Sequence, residues 1–244
     1  MIASLPMYDR PETAEANNRF WEAVRDHLGF GPERLARGRD VWDMWQDPDL
    51  VISQTCGLPY RSKLHGRVKL VGTPDYRLYG CQPGYYNSVI VAHRSRAGEP
   101  IIAFDGAKMA FNDPLSQSGW AAPYQHFQDN GLRIGELRET GSHVDSGRSV
   151  ADGFTDFAAL DALSWEMIRR YEEYAADLIE VDRTTPTPAL PFITALKRDP
   201  MPLANAISRA IFDLSPADRD VLHLHDIVDI RQTAYLAVSI PPAP

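Results

Sequence analysis

Short apolar segments alternate with helical patterns along most of this 244-residue chain. The apolar segments hold three to five residues, and several are rich in valine and isoleucine, which favour strands. Between the first two of them, Phe20, Val24 and Leu28 lie four positions apart, on one face of a helix over residues 12–28. The apolar segments are residues 2–5, 49–53, 68–71, 88–92, 109–111 and 157–160, with another short strand expected near Leu137. This alternation predicts an α/β protein in which mostly parallel sheets are flanked by helices.

Two polar segments interrupt the alternation and mark candidate domain boundaries. Residues 95–100 form a polar turn after a long strand, and residues 184–191 contain three prolines, which keep the chain extended. The chain after the prolines is again amphipathic, with Leu203, Ile207 and Ile211 on one helical face, as needed to pack on the first unit. The sequence therefore predicts two lobes. Lobe 1 consists of residues 1–92 and 184–244, and lobe 2 is an inserted α/β segment of residues 93–183.

The charge balance and the apolar runs argue against two classes of protein. The chain carries 25 Lys and Arg against 33 Asp and Glu, a net charge of −8, whereas a nucleic-acid groove needs a basic stripe. No apolar run approaches the ~18 residues of a membrane-spanning helix. Residues 1–6 enter the first strand without the basic and apolar segments of a secretory leader. We expect a cytoplasmic protein if the chain is complete as written, and a periplasmic one if a leader has been removed.

Patterns of the common enzyme and metal sites are absent. The chain has no G-x-S-x-G elbow, no phosphate-binding P-loop, no G-x-G-x-x-G turn and no H-E-x-x-H zinc motif. His223 and His225 lack a third well-placed ligand, so we interpret them as surface or structural residues. We expect neither a metal nor a cofactor.

The two cysteines, Cys56 and Cys81, fit no zinc spacing. Each follows a predicted strand of lobe 1, which lets them approach each other if those strands share a sheet. We expect a disulfide in an exported protein and two thiols in a cytosolic one, because the compartment decides. Two unrelated thiols are the alternative.

Residues 112–120, with the sequence NDPLSQSGW, form the sharpest local feature. They follow a predicted strand and open a predicted helix, and they place Ser116, Gln117, Ser118 and Gly119 at its start. A helix start offers unpaired backbone N–H groups and the positive end of the helix dipole, which together bind an anion without a cationic side chain. Ordinary helix capping explains the same residues, because Asp and Ser are common N-caps.

Other polar residues also stand where predicted strands end or helices begin. Ser142 and Asp145 fit a capping box, so a helix is expected to start there with His143 in its first turn. His143 is then either a donor into a cleft or an ordinary surface or core histidine. Asp161 ends an apolar strand, at the edge where open α/β sheets bind ligands, or else it caps the following helix. In lobe 1, comparable positions are held by Tyr8, Gln54 and Thr55.

Taken in order, these segments resemble the phosphonate- and phosphate-type substrate-binding proteins of ABC transporters, which have the type II periplasmic-binding-protein fold. The resemblance runs over about residues 1–195. It departs from the family pattern at Gln117, where a second small hydroxyl residue often stands. The matching segments are residues 5–8, 49–57, 72–76, 80–88, 112–113, 116–119, 141–143 and 153–161.

The resemblance implies two α/β lobes that are joined by two crossing segments and close over a small anion. The hinge is expected near residues 92–95 and 182–188. The hydroxyls and amides at the start of the helix would cradle the phosphate or phosphonate group, and the histidine would add a donor. The aspartate and the aromatic residues would contact the rest of the ligand. The implied ligand-binding residues are Tyr8, Gln54, Thr55, Tyr85, Ser116, Gln117, Ser118, Gly119, His143 and Asp161.

Two functions are consistent with this resemblance. The first is a solute-binding protein that captures a phosphate, phosphonate or related oxyanion, with an ABC permease as its partner; the absence of a nucleophile–base pair or metal set favours it. The alternative is a cytoplasmic enzyme or sensor on the same fold, for example in cofactor-precursor biosynthesis, with His143 or Asp161 as the acid or base. The absence of a leader favours this second function. The fold alone does not decide between them.

Overall fold

The computed structural model describes all of residues 1–244. Their contacts group them into two compact units. The first unit consists of Met1–Tyr85 and Pro188–Val238, and the second of Tyr86–Thr187 and Ser239–Pro244. Each unit has its own sheet, its own helices and its own apolar core.

Twelve strands and nine α-helices make up the two units. The strands are β1 (Ile2–Ala3), β2 (Leu50–Gln54), β3 (Val68–Asp75), β4 (Tyr85–Tyr86), β5 (Ser88–His93), β6 (Met109–Phe111), β7 (Leu137–Glu139), β8 (Phe157–Asp161), β9 (Leu178–Arg183), β10 (Thr187–Pro188), β11 (Phe192–Ala195) and β12 (Asp226–Val228). The helices are α1 (Ala14–Leu28), α2 (Val41–Trp45), α3 (Gly57–Pro59), α4 (Ala122–Asp129), α5 (His143–Ala151), α6 (Ala162–Tyr171), α7 (Met201–Asp213), α8 (Pro216–Leu222) and α9 (Gln232–Leu236). The chain also contains two π-helical turns, Tyr60–Leu64 and Gln117–Ala121, and three 3₁₀ turns, Arg94–Arg96, Ile101–Phe104 and Glu173–Asp177.

The sheet of the first unit has the strand order β1-β2-β11-β3-β12. Strands β1 and β2 are parallel, whereas β11 lies antiparallel between β2 and β3, and β12 is antiparallel to β3. Strands β2 and β3 therefore run in the same direction, and the chain that leaves each of them does so at the same edge. Phe192, the first residue of β11, pairs with Gln54 and Gly72 near that edge.

The sheet of the second unit has the strand order β7-β6-β8-β5-β9. Strand β6 is parallel to both of its neighbours, β7 and β8. Strand β5 is antiparallel to β8 and to β9. Three adjacent strands of this sheet, β7, β6 and β8, thus end at one common edge.

The α/β class predicted from the alternation is confirmed, but both sheets are mixed rather than mostly parallel. The reason lies in how the chain enters and leaves each unit. It passes between the units within β4 and β10, which pair in a small two-stranded sheet. Strands β5 and β11 directly follow these crossings, so each begins at the edge where its neighbours end and must run in the opposite direction.

Apolar side chains fill a separate core in each unit. In the first unit Trp45, Tyr60 and Tyr235 are at most 3% exposed and pack in one cluster. In the second unit Phe127 stacks on Phe157 with ring centroids 5.0 Å apart. Each such side chain contributes ~1.5–3 kcal/mol by leaving water. The amphipathic helices predicted near residues 12–28 and 203–211 form as α1 and α7 and bury the predicted apolar faces.

The C-terminal tail departs from the predicted lobes. The sequence places the whole tail in lobe 1, whereas Ser239–Pro244 groups with the second unit. The indole N–H of Trp120 donates to the carbonyl of Pro242 at 2.9 Å, and the Ser239 hydroxyl donates to Gln125 at 3.1 Å. These two bonds hold the last six residues on the second unit.

Two further observations concern the cysteines and the membrane. Cys56 and Cys81 are not joined by a disulfide, so of the outcomes considered from the sequence the structure shows two separate cysteines. None of the helices combines the length and the apolar character that crossing a bilayer requires.

Candidate functional site

The candidate site of the second unit is built on the common edge where strands β7, β6 and β8 end. The segment after β6 carries Ser118, the segment after β7 carries His143, and Asp161 is the last residue of β8. Because the three strands are parallel and adjacent, their carboxyl ends meet at that edge. The sheet therefore gathers three residues that are up to 43 positions apart in the sequence (118 to 161).

Backbone hydrogen bonds continue from β6 and β7 into the two segments that follow them. The N–H of Thr140 donates to the carbonyl of Phe111 at 2.9 Å, and the N–H of Gly141 donates to the carbonyl of Asn112 at 3.0 Å. This pairing holds the start of α5 beside the turn that leads into α4. As a result, Ser118 Oγ lies 3.0 Å from His143 Nε2.

The turn after β6 begins with a capped π-helical segment rather than a regular α-helix. Ser116 Oγ accepts a hydrogen bond from the N–H of Gly119 at 2.9 Å, and the Ser116 carbonyl accepts from Trp120 and Ala121. Ser116 thus performs the capping role foreseen in the sequence. The N–H groups of Gln117 and Ser118 precede the first bond of the helix, so they have no partner within it. Both residues are only 2% exposed.

Ser118 has a different role from Ser116, because its hydroxyl meets the imidazole of His143 instead of a backbone amide. A hydroxyl and a neutral imidazole each carry one donor proton. Either Ser118 donates to Nε2 and the imidazole proton stays on Nδ1, or Nε2–H donates to Ser118 and the hydroxyl proton is left over. In both tautomers the pair retains one donor that its own hydrogen bond does not use.

His143 is held rigidly at the start of α5. Ser142 caps this helix, accepting from the N–H of Asp145 at 3.0 Å and donating to its carboxylate at 2.6 Å, as the capping-box pattern predicts. The His143 side chain is half-buried as a whole, but its Nδ1 atom is completely covered and has no hydrogen-bond partner. Burial lowers the pKa of His143 from 6.5 to about 4, because the charged ring would lose its hydration. The imidazole is therefore neutral at pH 7.

Asp161 lies at the same edge but has a structural role. Its carboxylate accepts a hydrogen bond from the N–H of Ser164 at 2.9 Å and so caps α6, the second of the two roles considered from the sequence. The residue is 2% exposed and pairs with Ser88 across β8 and β5. A contact between Asp161 and a ligand stays a prediction.

Four predicted site residues lie in the first unit, near the edge where β1, β2 and β3 end. Gln54 is buried, and its amide donates to the Tyr76 hydroxyl at 2.8 Å and to the Leu190 carbonyl at 3.0 Å. Tyr8 contacts the ring of Tyr76 edge-on, with centroids 5.4 Å apart. Thr55 is buried beside Gln54, whereas Tyr85 is half-buried in β4.

Tyr76 is the residue of this first-unit cluster that the sequence analysis did not select. It follows β3, which runs in the same direction as β2, and it connects Tyr8 with Gln54. The predicted strand ended at residue 71, whereas β3 continues to Asp75 and so places Tyr76 directly after a strand end, like Thr55 after β2. That the two ends lie side by side depends on β11 pairing between β2 and β3.

Two α/β units, each with polar and aromatic side chains gathered where its strands end, define the class of two-lobed periplasmic-type binding proteins. The chain belongs to the family of periplasmic substrate-binding proteins of phosphonate ABC transporters, whose family model matches residues 65–234. The resemblance seen in the sequence is thereby confirmed. No curated protein matches the chain.

Solved structures of the same architecture share little sequence with this chain. PhnD1 from Prochlorococcus marinus (MIT 9301), in complex with methylphosphonate, is 13% identical with a TM-score of 0.75, covering 96% of this chain and 93% of that one. XAC2383 from Xanthomonas citri, bound to ATP, is 16% identical with a TM-score of 0.67, covering 96% and 92%. PA3383 from Pseudomonas aeruginosa, a binding protein component of an ABC phosphonate transporter, is 15% identical with a TM-score of 0.66, covering 91% and 79%. At these identities the likeness establishes the fold.

Proposed function

We propose that this protein captures a small phosphonate or phosphate-bearing anion and delivers it to an ABC permease. The observation that carries the proposal is the 3.0 Å contact between Ser118 Oγ and His143 Nε2, directly at the start of the helical segment that Ser116 caps. Membership of the phosphonate substrate-binding family and the methylphosphonate complex of PhnD1 support this class of ligand.

The anion is held by neutral donors in the second unit. The N–H groups of Gln117 and Ser118 lie at the helix start, where the dipole favours a negative charge. The hydroxyl proton of Ser116 remains available because its oxygen serves only as the acceptor of the cap. Because Nδ1 of His143 is completely covered, the Ser118–His143 pair contributes the hydroxyl proton of Ser118, which is available when Nε2–H donates to the Ser118 oxygen. Spreading the charge over several donors offsets the cost of taking an oxyanion out of water.

Residues of the first unit bind the rest of the ligand in this proposal. Tyr8 and Tyr85 present aromatic surface and hydroxyls, while Thr55 adds a short polar side chain. Gln54 orients Tyr76 through its hydrogen bond to the tyrosine hydroxyl. Ligand contacts from both units favour a closed state over an open one, since a ligand shifts the equilibrium toward the conformation that it binds better.

The function proposed is binding without a chemical step, and the surroundings of His143 support this. A Ser–His pair acts as a nucleophile and base when a third group, usually a carboxylate, holds the other ring nitrogen. Nδ1 of His143 has no such partner. With a pKa of about 4 the imidazole is also a weak base. Asp161, the other candidate acid or base, caps α6.

Calorimetric titration tests the proposal with methylphosphonate, inorganic phosphate and sulfate as ligands. Ser118→Ala and His143→Ala should each weaken binding roughly ten- to a hundredfold, because a hydrogen bond to a charged group contributes ~1.5–3 kcal/mol. His143→Gln should retain part of the affinity, since its amide still donates.

Two control variants separate loss of binding from loss of structure. Ser149→Ala removes a buried hydroxyl that bonds Thr155, and His126→Ala removes a histidine that bonds Asp182, both within the second unit. These variants should bind as the wild type does. Wild-type affinity in both Ser118→Ala and His143→Ala would exclude the proposed anion site.

A further inference from the structure

The side chain of Asn112 lies between the two parts of the proposed anion site, which are the turn that carries Ser118 and the start of α5 that carries His143. Asn112 directly follows β6, and its carbonyl accepts the N–H of Gly141, two residues before His143. Its side chain meets the other half of the site, because a Cβ placed on Gly119 would lie 1.8 Å from Asn112 Oδ1. The Asn112 amide therefore lies against Gly119, between the turn that carries Ser118 and the helix that carries His143.

The side-chain oxygen of Asn112 makes no hydrogen bond within the protein. Oδ1 is completely buried and faces the Cα of Gly119, whose hydrogen is at best a weak donor. Two other side-chain amides of the chain are bonded: that of Gln54 donates twice, and that of Asn130 donates to the His126 carbonyl at 2.8 Å. An unsatisfied buried amide oxygen is rare in folded proteins and calls for a specific explanation.

A role in packing does not explain an asparagine at this position. An apolar residue of similar size would fill the same space without burying an unpaired oxygen. With Oδ1 turned against Gly119, the NH₂ group is the end of the amide that still has two donor protons to place. The neighbouring groups, the Gln117 and Ser118 amides and the Ser118–His143 pair, are the donors of the proposed anion site.

We propose that Asn112 is a further ligand-binding residue, whose side-chain NH₂ donates to an anionic oxygen of the ligand. This assignment rests on the function proposed above and adds a contact that neither the sequence motif nor the capping pattern identifies. The bound anion accepts from the NH₂ end of the side chain, which accounts for an asparagine at a position where the side-chain oxygen stays unpaired. Asn112 also selects for an acceptor at this point of the ligand, because an amide NH₂ offers protons only.

The substitution Asn112→Asp tests this assignment, since it keeps the shape of the side chain and replaces the NH₂ with a carboxylate oxygen. Titration with methylphosphonate and with inorganic phosphate should show at least a hundredfold loss of affinity, because like charges then face each other. Asn112→Ala removes the donor without adding a charge and should weaken binding about tenfold. It also serves as the second test if the aspartate variant does not fold, as judged by thermal melting.

Asn130→Asp is the matched control, because it makes the same change at an exposed amide at the end of α4. It should leave affinity unchanged. Affinities of both Asn112 variants within twofold of the wild type, together with weakened binding by Ser118→Ala, would overturn the role of Asn112 and leave the proposed function intact. Failure of the wild-type protein to bind either anion would overturn the proposed function, and this assignment with it.

Discussion

Ser118 Oγ lies 3.0 Å from His143 Nε2, although 25 positions separate the two residues in the sequence. The contact exists because β6 and β7 are parallel neighbours whose following segments are tied by backbone hydrogen bonds. Ser116, two residues before Ser118, forms the helix cap instead. Of the two explanations of this serine-rich motif, Ser116 thus shows the capping role, and ligand binding by Ser118 is our proposal.

Gly119 should be intolerant of any side chain. A Cβ at this position would lie 1.8 Å from Asn112 Oδ1 and 3.1 Å from Ser116 Oγ, so Gly119→Ala must displace the asparagine and disturb the cap. We expect a loss of ~1–3 kcal/mol in the free energy of unfolding, measured by denaturant titration, and weaker anion binding.

A double-mutant cycle checks the cause of this loss. Adding Asn112→Ala removes the clashing atom, so the two substitutions should couple favourably by at least ~0.5 kcal/mol. Gly147→Ala, in α5, should show no coupling with Asn112→Ala. If the two substitutions change the free energy of unfolding additively, the clash with Asn112 is not the cause of the stability lost in Gly119→Ala.

Stability should fall as the pH drops through the range in which His143 titrates. Burial holds the pKa of this residue at about 4 in the folded protein, against 6.5 for an ordinary histidine. Between these values the unfolded chain binds more protons than the folded one, so the free energy of unfolding rises with pH and is lost toward acid. The part of the unfolding free energy that is lost through His143 approaches about 3 kcal/mol when the pH falls to about 4.

The variant His143→Gln isolates this contribution. It carries no titrating ring, so its stability, measured by urea unfolding across the same pH range, should depend on pH less steeply than that of the wild type. Identical slopes for the two proteins would show that His143 is not buried as a neutral ring.

Binding should make the protein more compact. We propose a hinge at the two crossings, within β4 (Tyr85–Tyr86) and β10 (Thr187–Pro188), because hinges are short segments at the ends of elements. The second crossing lies in the predicted hinge segment 182–188, whereas the other predicted segment, 92–95, lies inside the second unit. Small-angle scattering with saturating methylphosphonate should give a smaller radius of gyration than the ligand-free protein. The Ser118→Ala variant at the same ligand concentration is the control. An unchanged profile with calorimetrically confirmed binding would contradict closure.

Trp120 should determine how firmly the C-terminal tail is held. The substitution Trp120→Phe keeps an aromatic ring against Phe111 and Tyr124 but removes the donor to Pro242. Hydrogen exchange at Ser239 and Ile240 should then become faster. Trp165→Phe is the matched control, because it removes an indole bond to Glu180 that does not involve the tail. Unchanged exchange in the Trp120 variant would mean that other contacts hold the tail.

Local patterns in the sequence predicted the local structure well. The spacing of Phe20 and Val24 specified the buried face of α1, and the Ser142 and Asp145 pair specified the start of α5. Such patterns are readable because a helix or a strand presents its side chains with a fixed period, and a cap acts over three or four residues. The same reasoning placed Ser118, His143 and Asp161 at strand ends or helix starts.

The direction of β5 and β11 was not predictable in this way. A buried strand shows the same apolar run whether its neighbour is parallel or antiparallel. The sequence also did not predict that the last six residues pack on the second unit. This packing depends on a hydrogen bond between Trp120 and Pro242, which are 122 positions apart.

The sequence by itself determined the α/β class, the amphipathic helices and the two helix starts that carry hydroxyl and imidazole donors. Only the tertiary structure decided that Ser118 meets His143, that Gln54 is bonded to Tyr76, and that Asn112 Oδ1 lies unpaired against Gly119. The physical reason is range: periodicity and capping act within a few residues, whereas these contacts are made by strands that pair after the chain has travelled through other elements.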